Sequence, residues 1–90
     1  MDIYIEIEKY FPIIEKQLTK TEIEEFINCD YNDLILYHIS IGRWIRNRIL
    51  KENSTIYKLF KMNGAVNKDD MSQLIIKLFY IHLKNKYKQP

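Results

Sequence analysis

Turn-forming residues are scarce in this chain, with two glycines and two prolines among 90 residues. All-β folds need many turns, so the scarcity argues for helices. A lone cysteine, Cys29, excludes an intramolecular disulfide. Domains this small are usually cross-linked in oxidising compartments, so a reducing cytoplasm is the expected setting. Long hydrophobic runs are missing too. The densest apolar stretch, Leu74 to Leu83, is broken by Lys77 and His82 and is too short to cross a bilayer. Met1 is followed by Asp2 and alternating glutamates, not by a basic segment and an apolar one, so no secretory leader is expected.

What is present is globular material. Apolar residues make up 47% of the chain and charged ones 29%, a balance typical of a folded domain and not of a disordered one. The length suits one domain, 1–90, with a thin core. The net charge of +2 hides an uneven distribution. Residues 1–33 carry nine acids and three lysines, whereas residues 34–90 carry eleven lysines or arginines and three acids. The two ends of such a dipolar molecule suit different partners.

Periodicity predicts an all-α fold, a compact bundle of about five helices. Ile3, Ile7, Phe11, Ile14 and Leu18 recur at helical spacing, which predicts a first helix over 3–18 that is kinked or broken near Pro12. The alternation of Ile3, Ile5 and Ile7 with Tyr4, Glu6 and Glu8 is also strand periodicity, so residues 3–8 remain open between helix and strand. Thr19 and Thr21 each precede an acid by three residues and are rival capping-box candidates for a short second helix ending around Cys29. Asp30 is the expected N-cap of a third helix reaching about Leu50. One face of it carries Leu34, His38, Ile41, Ile45 and Ile49; a neighbouring face carries Ile35, Ile39, Gly42 and Arg46. Gly42 disfavours a helix interior by about 1 kcal/mol relative to alanine, which suggests a close helix crossing there. A fourth helix from Ser54 ends at Asn63-Gly64. A fifth runs from Asn67 to about Lys86, with Asp69 and Asp70 favourably placed in its first turn. Its middle is apolar almost all round, as a central helix or a partner surface would be.

Groups that carry chemistry are dispersed. His38, His82 and Cys29 stand singly, which does not make a metal site. Asp30-Tyr31-Asn32 opens like a calcium loop, but Leu34 and Ile35 stand where a further ligand and the glycine belong. Ser40 lies two residues from His38, on a different side of any helix. His38 itself sits on an apolar stripe and reads as a core histidine. With only Gly42 and Gly64, no phosphate-cradling loop can form. The expectation is therefore a protein with no catalytic residues, no metal and no cofactor. Arg43, Arg46, Arg48 and Lys51, with Trp44 among them, resemble a nucleic-acid footprint. The isoelectric point of about 8.6 and the acidic first third weigh against it. Trp44 reads as a core anchor. Seven tyrosines exceed what so small a core can hold, and exposed tyrosine suits protein interfaces.

Two motifs carry a family resemblance. His38, Gly42 and Trp44-Ile45-Arg46-Asn47 fit H-x-x-x-G-x-W-I-R-N, and Asp69-Asp70-Met71-Ser72 then opens an apolar helix. Roughly residues 31–83 resemble a family of small bacterial helical domains of uncharacterised function, with Lys68 standing where that family often has proline. The resemblance implies no reaction. It implies a context, the immunity proteins of polymorphic or contact-dependent toxin systems. Beside it stands a physical reading, in which Trp44, Arg46, Asn47, Asp69 and Asp70 form a structural latch joining the third helix to the start of the fifth. If the Arg46 pair is buried, removing one partner should cost about 3–5 kcal/mol.

The functional expectation is a cytoplasmic immunity protein that occludes a cognate toxin domain, with no small-molecule substrate and no membrane contact. A nuclease is the expected target, because it must present a basic cleft to phosphate. The acids Glu15, Glu22, Glu24, Glu25, Asp30 and Asp33 would complement that cleft and steer association. The alternative is a nucleic-acid-binding or regulatory module using Arg43, Arg48 and Lys51. A third reading is self-association through the fifth helix.

Overall fold

A computed structural model describes residues 2–87, and every element in them is helical. Asp2 caps α1 (Ile3–Glu8), its carboxylate accepting the Tyr4 amide at 2.8 Å. The alternating start is thus helix, with Ile7 buried and Ile5 exposed. The chain breaks at Lys9-Tyr10 and resumes as α2 (Phe11–Lys16). A proline ring clashes with the carbonyl four residues earlier, here that of Glu8, where α1 ends. Pro12 itself lies in the first turn of α2, where a missing N–H is harmless. The first predicted helix is therefore two short ones, the break falling two residues ahead of Pro12.

Of the rival caps, Thr19 starts α3 (Lys20–Asn28). The Thr19 hydroxyl accepts the Glu22 amide at 3.1 Å, and the Glu22 carboxylate accepts the Thr19 amide at 2.8 Å. The carbonyls left over at the end of α3 are met from the last helix, α6 (Lys68–Lys86): Tyr80 donates its hydroxyl to the Cys29 carbonyl at 2.8 Å and Lys84 its ammonium to that of Ile27 at 3.1 Å.

The long third helix expected over 30–50 is not continuous. Tyr31–Tyr37 forms a 3₁₀ segment, a turn follows, and α4 covers Ile41–Arg48. Asp30 precedes the 3₁₀ segment without a side-chain cap bond; its carbonyl accepts the Asp33 amide at 2.8 Å, the i to i+3 bond of the tighter helix. Tyr31, Leu34 and Tyr37 repeat at intervals of three, which matches three residues per turn. Leu34 is buried, Tyr37 half-buried, and Tyr31 lies against Tyr80 with ring centroids 6.2 Å apart. The tighter winding carries Ile35 and Ile39 out of register with Gly42 and Arg46, and both are exposed.

Ser54 caps α5 (Thr55–Met62). Gly64, at φ +91°, closes it, with Ala65 N–H donating to the Phe60 carbonyl and Gly64 N–H to that of Lys61. Asn67 caps α6 by accepting the Asp70 amide at 2.9 Å. α6 is the central helix, with α3, the 3₁₀ segment and α4 against it, while α1 lies against α5. Its buried stripe is Met71, Ser72, Ile75, Ile76, Phe79, Tyr80 and Leu83. Phe79 meets both Phe11 and Phe26, and Phe26 meets the Tyr37 ring edge-on at 4.9 Å. No helix among the described residues is long and apolar enough to cross a membrane.

Candidate functional site

The two sequence motifs meet where α4 crosses the start of α6. Arg46 is the hub, its side chain 17% exposed. It donates through Nη1 to the Ser72 hydroxyl at 3.1 Å and through Nη2 to the His38 carbonyl at 3.2 Å. Its Nε lies 3.6 Å from the Asp69 carboxylate. Nη1 also comes within 3.5 Å of His38 Nδ1, and His38 Nε2 faces the Asp69 carboxylate at 3.8 Å. Gly42 makes room for this. A Cβ there would stand 2.9 Å from Arg46 Nη1 and 3.5 Å from Ile76 Cδ1. Ser72 is fully buried and donates to the Asp69 carbonyl at 3.0 Å, so its hydroxyl is engaged on both sides and closed to a substrate.

Of the predicted latch residues, the structure brings together Arg46 and Asp69. Asp70 and Asn47 are exposed and make no side-chain bond among the described residues. Each is one residue beyond a latch member, hence turned about 100° away around its helix. Trp44, two residues before Arg46, faces another side of α4. Sequence reasoning missed Ser72 and the His38 contacts as parts of the latch. Both residues stand inside the two motifs, and that was the signal available.

Trp44 belongs to a second feature, an open cleft of about 320 Å³ between α2, α3 and α4. Ile14, Leu18 and Ile41 supply apolar surface to it, and the Trp44 and Tyr37 rings line it. Glu22 and Glu25 line it from α3, with Gln17 and Ser40 completing the wall. Burial, then the nearby Cys29 and Glu25, push the Tyr37 hydroxyl above its ordinary pKa. Neither the Tyr37 hydroxyl nor the Trp44 indole N–H has a hydrogen-bond partner among the described residues.

The six predicted partner-binding acids divide. Glu22 and Glu25 line the cleft; Glu24, Asp30 and Asp33 are exposed nearby in the chain. Glu15 is set apart: its carboxylate accepts from Lys86 Nζ at 2.9 Å and from the Tyr87 hydroxyl at 2.6 Å. Burial raises the Glu15 pKa, but these two bonds outweigh it and hold the group below its ordinary value. Half-buried Cys29 has its thiol pushed up by burial and by Asp33, with Lys84 opposing, which makes it a poor nucleophile. Arg43, Arg48 and Lys51 are exposed.

A third feature is apolar. Ile35, Leu36 and Ile39 are 59%, 73% and 65% exposed, the first two on the 3₁₀ segment and the third in the turn after it. Large aliphatic side chains grouped in this way mark an interaction surface more often than scattered ones do.

The fold and these surfaces define a small helical domain with a polar latch between its motif segments and an acid-lined aromatic cleft. Residues 6–83 match the model of a domain of unknown function (DUF6794), and the chain belongs to that family. The match begins at Glu6, so the acidic α2–α3 region lies inside the family domain. No curated protein and no solved structure matches the chain.

Proposed function

We propose that this domain is an immunity protein that binds a cognate bacterial toxin domain, a nuclease, in the cytoplasm and neutralises it by occlusion, with no activity of its own. The observation that carries the protein-binding part is the exposed trio Ile35, Leu36 and Ile39, directly after the acidic α3. An apolar centre with charged groups beside it is the usual composition of a protein-binding patch. The toxin context rests on the two motifs, and the nuclease on charge, since Glu24, Glu25 and Asp33 are exposed acids that complement a phosphate-binding cleft.

The test is a binding titration against the toxin domain encoded by the neighbouring gene, with protection of cells as a second readout. A one-to-one complex is expected, and Leu36→Asp should weaken it by about tenfold or more, the effect of one buried hot-spot residue. A chain that holds tRNA or duplex DNA with a steep salt dependence, and no protein, would replace this reading with nucleic-acid binding through Arg43, Arg48 and Lys51.

A further inference from the structure

The cleft between α2, α3 and α4 has a chemistry of its own. Its lining combines three aliphatic residues, two aromatic ones and two acids, Glu22 and Glu25. Glu22 is held in place by the capping box: Oε1 accepts the Thr19 amide at 2.8 Å, and Oε2 has no partner among the described residues. Glu25 has neither a hydrogen bond nor an ion pair among them. Covering the cleft with a purely apolar group would desolvate these carboxylates without compensation, which is costly. An acidic group would be repelled. A cation on an apolar stem satisfies every part: the stem lies on Ile14, Leu18 and Ile41, the charge meets Glu22 and Glu25, and the aromatic faces favour a cation. Guanidinium fits better than ammonium, because it is planar, stacks on an indole and can donate to two carboxylates at once.

We infer that this cleft is the seat of an arginine side chain presented by the protein partner. The inference rests on the protein-binding reading above and names the anchor of that contact. Trp44 is the only tryptophan of the chain and lines the cleft, so its fluorescence reports occupancy.

The experiment needs no toxin. The full chain is titrated with a short peptide carrying arginine between two leucines, and with the same peptide carrying citrulline, the neutral isostere. The arginine peptide should shift Trp44 emission saturably, and the citrulline peptide should bind about tenfold more weakly, as loss of a charge-assisted contact predicts. The double variant Glu22→Gln with Glu25→Gln should lose the same factor at unchanged melting temperature, because glutamine preserves the capping box. Equal affinity for the two peptides, indifference to the double variant, or no Trp44 response would each overturn the inference. The two proposals fail separately. If Leu36→Asp abolishes toxin binding and the double variant does not, the arginine seat falls and the protein-binding reading stands. If the arginine peptide binds as described but the toxin domain does not bind, the arginine seat stands for a different protein partner and the immunity reading falls.

Discussion

Arg46 concentrates the energetics of the motif residues. Its guanidinium is largely covered, but Asp69 is 63% exposed on its side chain, so the pair sits at the edge of the core and not within it. The 3–5 kcal/mol appropriate to a buried pair is therefore too much. What Arg46→Ala removes is a set of charge-assisted hydrogen bonds, about 1.5–3 kcal/mol in all, while Ser72 keeps its bond to the Asp69 carbonyl. For a chain of this size the melting temperature should fall by roughly 10 °C, measured by thermal circular dichroism. Gly42 supplies the companion measurement. Gly42→Ala gains about 1 kcal/mol of helix propensity but drives a Cβ against Arg46 Nη1, so it should be near neutral in the native background. With Arg46→Ala already present the obstruction is gone, and the same substitution should stabilise by about 1 kcal/mol. Equal effects in both backgrounds would show that Gly42 does not serve the latch. At this scale the sequence is partly legible. The motifs name Arg46 and Asp69, but which neighbour along a helix faces the partner depends on the crossing of α4 and α6. That crossing selects Asp69 over Asp70 and brings in Ser72.

Elements were most legible where a local signal marks an end. Ser54, Asn67 and Gly64 lie at the boundaries that their side chains or backbone freedom predict. Thr19 and Thr21 were equivalent in sequence, and the structure distinguishes them because the chain is extended at Thr19. Thr19→Ala should lower stability by about 1 kcal/mol in a denaturant titration, and Thr21→Ala, inside the first turn, should change it little. Residues 31–40 were illegible for a physical reason. Leu34, His38 and Ile41 fit a 3.6-residue repeat and Tyr31, Leu34 and Tyr37 fit a 3.0-residue one; packing of Tyr37 on Phe26 goes with the second. The tie of α2 to the end of α6 was hidden as well, since Glu15 and Lys86 are far apart in the chain. It yields a pH dependence. Glu15 has its folded pKa lowered, so its contribution is present above the ordinary carboxylate value and is lost as pH falls through the lowered one. Glu15→Gln should melt below the parent at neutral pH, and the two melting curves should converge in strong acid.

On the scale of the whole molecule, charge decides how a partner arrives more than how firmly it stays. The first 33 residues carry nine of the twelve acids, and three of those nine, Glu22, Glu24 and Glu25, lie on the single short helix α3. Exposed charges of this kind act over about one Debye length, roughly 8–10 Å in physiological salt, and change association rate far more than dissociation rate. Reversing all three acids would also break the capping box at Glu22, so the variant that tests steering is Glu22→Gln with Glu24→Lys and Glu25→Lys, which leaves the Thr19 box available. Against a basic toxin domain its association should slow markedly at low salt, and the difference from the parent should shrink as salt is added. Dissociation should change less, apart from the share carried by the cleft carboxylates themselves. A parallel variant, charge-reversed at Arg43, Arg48 and Lys51, should associate at least as fast as the parent, because those cations would repel a basic partner. Stopped-flow association at several salt concentrations measures both. If the variant reversed at Arg43, Arg48 and Lys51 alone slows, the partner is acidic where it meets this domain, and these three residues are its contact. If neither slows, association is steered by shape alone, with the apolar trio Ile35, Leu36 and Ile39 as the surface that captures the partner.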